Sequence, residues 1–207
     1  MSVAKPYRLG LVVGKFAPFH HGHELVIHTA RECCEQVLVL GYSQPEFAGC
    51  ERERRAAWVS QRFPDVINIQ LDEASVRQRC QARGIAYRAM PDNAEADLIQ
   101  QTYLAWLLTG PIGLTPDAML ASEHYLVPCA ALLSRELGAH VTPIGVDQAR
   151  AQHPISATRL RQNIHAHSSW LAPEVYKDFV PRIVLLGGES SGKTTLAQAL
   201  ADHHGTC

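Results

Sequence analysis

A short stretch near the start of the chain gathers residues suited to contact with a phosphate group. The segment from Gly14 to His23 has the sequence GKFAPFHHGH and follows an apolar run, so it lies where a strand ends and a helix begins. Unpaired backbone N–H groups and the positive end of the helix dipole favour an anion at such a position. Gly22 has no Cβ, so the backbone can approach a phosphate closely. His20 and His23 are three residues apart, so both rings can face one anion, as imidazolium ions or as hydrogen-bond donors.

The composition of this loop favours phosphate binding over two simpler explanations. Lys15 adds a cation, and Gly14 and Phe16 are candidate ligand-binding residues of the same loop. The alternatives are a solvent-exposed turn that happens to be rich in histidine and a chance metal site. Zinc is disfavoured because no cysteine or carboxylate follows at ligand spacing. We interpret His21 and His28 as bystanders.

A second segment, with the sequence HPISATRLRQN, places hydroxyl groups and a guanidinium at the start of a later helix. Ser156 is a natural N-cap, and Thr158 and Arg161 fall on one helical face because they are three residues apart. Arg159 points away from Arg161. These groups and the helix N-terminus can form a second anion clamp. The alternative is an ordinary capped helix with surface arginines.

A third segment, GGESSGKT from Gly187 to Thr194, fits the P-loop pattern G-x-x-x-x-G-K-[ST]. An apolar strand is predicted before it and a helix after it, which is the context that the motif requires. In a complete domain, Lys193 would reach the β- and γ-phosphates and Thr194 would hold Mg²⁺, with Gly187 and Gly192 as the glycines of the pattern. The alternative is a coincidental Gly/Ser linker. Too few residues follow Thr194 to supply a base or a lid, so we expect weak nucleotide binding, at the start of a kinase domain lost by truncation.

Alternating strands and helices must position these motifs. Such an order predicts an α/β protein with a parallel sheet covered on both faces. Apolar periodicity and turn residues define the elements, and residues 72–92 are assigned only as helix then coil. The predicted strands are 9–13, 37–40, 66–71, 117–121, 140–144 and 183–186, and the predicted helices are 24–36, 50–63, 94–108, 128–137 and one beginning at 156, with a short helical connector at 170–180.

Composition narrows the classes of protein that the chain can represent. Of its 207 residues, 46% are apolar and 19% are charged, which is enough to build a buried core. A net charge of -1 offers no broad basic surface for nucleic acid. No signal peptide or membrane-spanning run is found, so we expect a soluble cytoplasmic protein that binds neither membranes nor nucleic acid. The sequence leaves homo-oligomer formation open.

The cysteines indicate free thiols in a reducing compartment. They form no C-x-x-C pair, and two of them are adjacent, which suits neither a disulfide between them nor a zinc site. The six are Cys33, Cys34, Cys50, Cys80, Cys129 and Cys207.

The first two motifs together resemble the H-x-G-H and I-S-S-T-x-x-R signatures of the nucleotidyltransferase superfamily. The resemblance implies a Rossmann-like, doubly wound sheet that transfers a nucleotidyl group from a nucleoside triphosphate, with Mg²⁺, and releases pyrophosphate. It implies that His20 and His23 face the transferred α-phosphate. Lys15 would reach the triphosphate or the acceptor phosphate.

The same resemblance assigns the second segment to the rest of the triphosphate. Ser156, Thr158 and Arg161 would hold the β- and γ-phosphates. The chain departs from the family at Ala157, where Ser is more frequent, and so lacks one hydroxyl. An acceptor that carries a phosphate is already anionic and can attack in line, so positioning and charge stabilisation suffice without a protein nucleophile.

The P-loop narrows the resemblance further. An H-x-G-H nucleotidyltransferase joined by a Trp/Pro-containing connector to GGESSGKT resembles the NadR-type NAD-biosynthesis proteins, which combine nicotinamide mononucleotide (NMN) adenylyltransferase and ribosylnicotinamide kinase activities. The resemblance implies ATP and NMN as substrates and NAD as product. It divides the chain into a nucleotidyltransferase domain (1–168), a connector (169–181) and a truncated P-loop kinase fragment (182–207).

The acceptor and the catalytic status remain open at this point. Pantetheine phosphate, FMN or glycerol phosphate fits the first two motifs equally well, and a regulator that senses ATP and NMN without turnover is an alternative of another class. Trp106 or Trp58 could stack on a nicotinamide ring, although tryptophan at helical spacing is more often core. Arg54, with Arg52 and Arg55, could line the acceptor phosphate pocket, although such a run is usually a solvated face.

Overall fold

A single parallel sheet forms the centre of the computed structural model, which describes residues 4–204. The strand order is β3-β2-β1-β4-β5. The chain therefore moves outward from β1 to β3 and then crosses back to β4 on the other side of β1. Ligands of such sheets bind beyond the carboxyl ends of the strands, where the order reverses. The strands are β1 (Tyr7–Gly14), β2 (Cys34–Tyr42), β3 (Ile67–Leu71), β4 (Ala118–Ala121) and β5 (Thr142–Gly145).

Helices connect these strands and cover the sheet. A π-helical turn at Leu108–Ile112 extends the fourth helix, and a 3₁₀ turn at Ser168–Trp170 precedes the seventh. The helices are α1 (His21–Cys33), α2 (Arg52–Arg62), α3 (Glu73–Arg83), α4 (Asp97–Leu107), α5 (Leu126–Leu137), α6 (Ala157–Gln162), α7 (Pro173–Tyr176) and α8 (Lys193–His204).

The side chains of each strand alternate between two hydrophobic cores. On β2, Leu38 and Leu40 belong to the core under α3, α4 and α5, whereas Val37 and Val39 belong to the core under α1, α2, α6 and α7. This is the period-2 alternation of a strand that is buried on both faces. The predicted α/β class with a doubly wound parallel sheet is confirmed.

Two of the differences between the predicted and the observed elements have a clear physical reason. The first helix ends at Cys33 instead of continuing to residue 36, because β2 begins at Cys34 and pairs there with Tyr7 of β1. The predicted strand 183–186 does not form, and residues 181–192 contain no strand. Ile183 is 70% exposed and Leu186 is 90% exposed, so no neighbouring strand supplies the hydrogen bonds and burial that a strand needs.

The described cysteines carry free thiols, as predicted. Cys34, Cys50, Cys80 and Cys129 are buried and Cys33 is partly buried, whereas Cys207 lies outside the described residues. Across residues 4–204, the helices are too short or too polar for any of them to cross a membrane.

Candidate active site

The two predicted anion-binding segments line one cleft, which has a volume of about 470 Å³. It opens at the carboxyl ends of β1 and β4, where the strand order reverses. Arg161 donates a hydrogen bond from Nη1 to the carbonyl oxygen of Ala17, which joins residues 144 positions apart. The structure thus brings both segments to one place. The predicted residues that line the cleft are Gly14, Lys15, Phe16, His20, Gly22, His23, Ser156, Thr158 and Arg161.

His20 and His23 cap the first turn of α1 with their own rings. His20 is the N-cap residue, and its Nδ1 accepts a hydrogen bond from the backbone N–H of Gly22 at 3.1 Å. The backbone N–H of His20 donates to Nδ1 of His23 at 3.3 Å. The two rings stack with their centroids 3.8 Å apart. Since each Nδ1 is an acceptor, the proton of each neutral ring lies on Nε2, which can donate to a ligand.

Both imidazoles are neutral at physiological pH. Burial lowers the pKa of His20 to about 3, and the nearby charge of Arg150 and the rings of His21 and His153 contribute. Burial also lowers the pKa of His23 well below its ordinary value, helped by His20 and Arg150. Of the two roles that the sequence leaves open, the structure therefore favours neutral hydrogen-bond donors over imidazolium ions.

Phe16 packs against the histidine pair. Its φ of 49° is in the left-handed region, which is unusual for a bulky residue and often marks a functional loop. The ring is 1% exposed and lies edge-on to His23 at a centroid distance of 5.0 Å. It also packs against Gly41 of β2, where an added Cβ would lie 2.9 Å from the Phe16 ring. Phe16 thus borders the cleft and also fixes its floor.

The second segment forms as predicted. Ser156 is the N-cap of α6, and its Oγ accepts a hydrogen bond from the backbone N–H of Arg159 at 3.2 Å. Arg161 donates from Nη2 to Oγ1 of Thr158 at 3.1 Å, so these two side chains share one face. The Arg159 side chain lies outside the residues that line the cleft.

Lys15 contacts a wall of the cleft that the sequence does not reveal. Its Nζ donates to the carbonyl oxygen of Asn93 at 3.0 Å. Burial lowers the pKa of Lys15, and the neighbouring charge of Arg161 lowers it further. Asn93 lies in a loop of weak sequence pattern, so no periodicity could have identified it. The structure thus adds Asn93 to the site as the partner of the Lys15 cation.

Arg150 is a second residue missed at the sequence level. It lines the cleft, donates from Nη2 to Glu123 at 2.7 Å and from Nη1 to the carbonyl oxygen of Ile155 at 2.9 Å. Its φ is 51°, and Asp147 in the same loop has a φ of 46°. Asp147 accepts hydrogen bonds from three backbone N–H groups, including that of His153 at 3.0 Å. The segment lacks helix or strand periodicity, so no pattern in the sequence could have identified Arg150.

The two tryptophans proposed for ring stacking lie elsewhere. Trp58 is 1% exposed in one core, and its Nε1 donates to Asp178 at 2.7 Å. Trp106 is partly buried against the other core, where its ring lies 5.2 Å from that of Tyr103. Neither belongs to the described residues that line the cleft. The contacts of Trp106 are those of packing in a core, and its role at a nicotinamide ring stays a prediction.

The arginine run on α2 lies outside the described lining of the cleft. Arg54 is on the exposed face of α2 and donates to the carbonyl oxygen of Gly49 at 3.3 Å. Arg52 pairs with Asp72 at 3.0 Å, and Arg55 is fully buried. None of the three lies among the described residues that line the cleft. The face of α2 that carries Arg54 is turned to solvent, and the assignment of Arg54 to the acceptor pocket stays a prediction.

The P-loop segment has the local turn of its motif, but its residues are not among the described residues that line the cleft. Ser190 and Gly192 have φ values of 58° and 77°, and α8 begins at Lys193. Nζ of Lys193 donates to the carbonyl oxygens of Gly187, at 2.9 Å, and Gly188. The lysine thus folds back onto its own loop.

Solved structures of known proteins share the fold of this chain. The fold is that of NadR crystal structures: one solved with NAD and AMP-PNP has a TM-score of 0.62 and 21% identity, and covers 97% of this chain and 55% of that chain. Another, solved with NR, has a TM-score of 0.65 and 20% identity, and covers 94% of this chain and 51% of that chain. Residues 182–207 match a family described as "AAA domain".

The sequence comparison then identifies the relatives. The chain is homologous to the trifunctional NAD biosynthesis/regulator protein NadR of Salmonella typhimurium, with 26% identity over 208 residues, 94% of this chain and 46% of the relative. NadR of Escherichia coli is also 26% identical, over 198 residues, with the same coverage. The chain therefore spans about half the length of the curated relatives that it matches.

Proposed function

We propose that this chain is an adenylyltransferase that transfers AMP from ATP to NMN, forming NAD and pyrophosphate. The observation that carries the proposal is the meeting of two anion-binding loops in one cleft, where Arg161 bonds to the carbonyl oxygen of Ala17. Homology to NadR supports NAD biosynthesis as the setting.

The cleft offers separate groups to separate phosphates. The Nε2–H groups of His20 and His23 would donate to the non-bridging oxygens of the α-phosphate, where charge changes most during transfer. The N-terminus of α6 with Ser156, Thr158 and Arg161 would bind the β- and γ-phosphates. Neutral imidazoles suit this division, because they orient the α-phosphate without adding a cation that would hold the product.

The chemistry then needs no protein nucleophile. An oxygen of the NMN phosphate attacks the α-phosphorus in line, one P–O bond forms, and the bond from the α-phosphorus to the bridging oxygen breaks. Pyrophosphate leaves with that electron pair. Lys15, held against the Asn93 carbonyl, would contact the incoming acceptor phosphate or the triphosphate. Positioning and charge stabilisation supply the rate.

Mg²⁺ is proposed to enter as part of the MgATP substrate. Among residues 4–204, no three His, Cys, Asp or Glu side chains are grouped so as to hold a metal ion. Mg²⁺ commonly keeps its waters and binds through substrate phosphates, so a cleft without such a group suits an ion carried by the triphosphate.

The P-loop segment has no step in this transfer. A chain in which it continues into a complete P-loop domain would, we propose, also phosphorylate ribosylnicotinamide, with Lys193 at the β- and γ-phosphates and Thr194 at Mg²⁺.

A panel of phosphorylated acceptors tests the proposal. NMN, pantetheine phosphate, FMN and glycerol phosphate are each incubated with MgATP, and pyrophosphate release is measured. We expect turnover with NMN, and a loss of about 10²–10³-fold in His23→Ala, as for removal of one charge-stabilising donor. His140→Ala is the control, because His140 is exposed at the amino end of β5, whereas the cleft lies at the carboxyl ends of the strands.

Each result has a distinct meaning. Preference for another acceptor would keep the transferase and reject NMN. Binding of ATP and NMN without pyrophosphate release would identify a regulator. Equal rates in His23→Ala and wild type would remove His23 from the mechanism.

A further inference from the structure

Phe47 packs against the guanidinium of Arg161 in a cation–π contact. Cζ of Arg161 is 3.9 Å from the centroid of the Phe47 ring. Phe47 belongs to the loop between β2 and α2, and it packs against the core under α1 and α2. It is outside the set of described residues that line the cleft, whereas Arg161 lines it. The ring therefore contacts the guanidinium of a cleft residue without lining the cleft itself.

A guanidinium held in this way keeps its donors available. The cation–π contact uses the face of the guanidinium, while its N–H groups point outward in the plane. Two of these groups bond to Ala17 and Thr158, which leaves others for a phosphate. Arg161 is the last but one residue of the six-residue helix α6, so the helix alone does little to restrict a long, flexible side chain.

The loop that carries Phe47 is itself fixed at three points. Glu46 pairs with the fully buried Arg55 at 3.0 Å. The carbonyl oxygen of Phe47 accepts from the backbone N–H of Cys50 at 2.9 Å. The backbone N–H of Asn93, whose carbonyl binds Lys15, donates to the carbonyl oxygen of Gln44 at 2.6 Å. Arg55 thus helps to hold the loop that carries Phe47, although Arg55 itself does not line the cleft.

We propose that Phe47 is a positioning residue for Arg161, holding its guanidinium in the orientation that binds the β- and γ-phosphates of ATP. This inference rests on the proposed function for the identity of the ligand. It assigns to the β2–α2 loop a role in triphosphate affinity, although Phe47 itself does not touch the nucleotide.

The test is equilibrium binding of MgATP measured by calorimetry, which needs neither an acceptor nor turnover. Phe47→Leu removes the aromatic face, and we expect it to weaken MgATP binding about 3- to 10-fold. Phe47→Tyr keeps the face and should bind within about twofold of wild type. Phe179→Leu is the matched control, since Phe179 packs against the same core but its ring lies tilted against that of Trp58, at a centroid distance of 5.7 Å.

A double-mutant cycle separates positioning from general loosening. In an Arg161→Ala background, Phe47→Leu should have no further effect on MgATP affinity, because the group that it positions is gone. A further loss of the same size would overturn the proposal, as would unchanged affinity in Phe47→Leu alone. Thermal melting checks each fold, and Phe47→Met replaces Phe47→Leu if the leucine variant does not fold. If wild type binds no MgATP, the proposed function fails and this inference fails with it.

Discussion

The cleft and the P-loop segment both carry phosphate-binding motifs, yet of the two only the cleft is buried and held together by contacts between distant parts of the chain. In the cleft, His20 is 6% exposed, two loops 144 positions apart are bonded, and the strands behind them are paired. In the P-loop segment, Ile183 and Leu186 are exposed and Lys193 donates to carbonyl oxygens of its own loop. The difference is the sheet: a turn and a helix can form from local sequence, but a strand needs a partner.

This comparison predicts where substitutions have consequences. Changes at the cleft should alter catalysis and stability, because its residues are coupled by packing. Matched changes in the P-loop segment should alter neither.

Among the substitutions that compare the two regions, the largest effect is expected at Arg161. Arg161→Ala removes a donor aimed at the triphosphate and should lower kcat/KM for ATP about 10²-fold. Arg159→Ala, on the other side of α6, is the control and should stay within about twofold. Pyrophosphate release at saturating NMN measures both variants, and equal rates for Arg161→Ala and wild type would remove the second clamp.

Glycines offer the next comparison. In Gly41→Ala the new Cβ would lie 1.9 Å from Oε1 of Gln70 and 2.9 Å from the Phe16 ring. The overpacking should lower the free energy of unfolding by about 1–3 kcal/mol. Gly188→Ala is the counterpart in the P-loop segment, where an added Cβ meets nothing within 4 Å. Urea denaturation of both variants checks this, and a similar loss in the two would contradict the contrast.

Acid should destabilise the protein partly through His20. Its pKa is about 3 in the folded protein against an ordinary 6.5, so between these values the unfolded chain binds a proton that the folded chain does not. Stability should therefore fall as the pH is lowered through this window, by up to about 1.4 kcal/mol per pH unit from this group. His20→Asn should show a shallower slope between pH 6.5 and 5 in denaturant titrations, and an unchanged slope would mean that His20 is protonated in the folded state.

The smallest effect is expected at Lys193. Lys193→Ala should leave AMP transfer and thermal stability within measurement error, because its Nζ contacts only the P-loop turn among the described bonds. Lys15→Ala is the matched change in the cleft and should reduce transfer. A loss of transfer in Lys193→Ala would show that the two regions are coupled.

Periodicity predicted most of the fold, because strands buried on both faces and capped helices leave strong local signals. The apolar run before Gly14 and the Ser156 cap were both found where expected. The failed strand 183–186 carried the same apolar signal. An apolar run of this kind indicates that the residues favour burial, but a strand forms only where other parts of the fold pack against it.

Residues of the candidate site could be predicted only where they belong to a recognisable motif. His20, His23 and Arg161 were identified by spacing and resemblance, but Asn93 and Arg150 lie in irregular loops whose positions depend on distant contacts. The protonation of the histidines was open as well, since burial sets it. The roles given to Trp106 and Arg54 stay predictions, because tryptophan and arginine serve packing, solvation and binding alike.

The bond between Arg161 and Ala17 has a consequence for how the protein can be monitored. Strands β2 to β5 all lie between its two partners in the chain, so nucleotide affinity should report completed assembly more directly than helix content does. By mass action, any triphosphate that occupies the cleft would in turn favour the fully assembled chain.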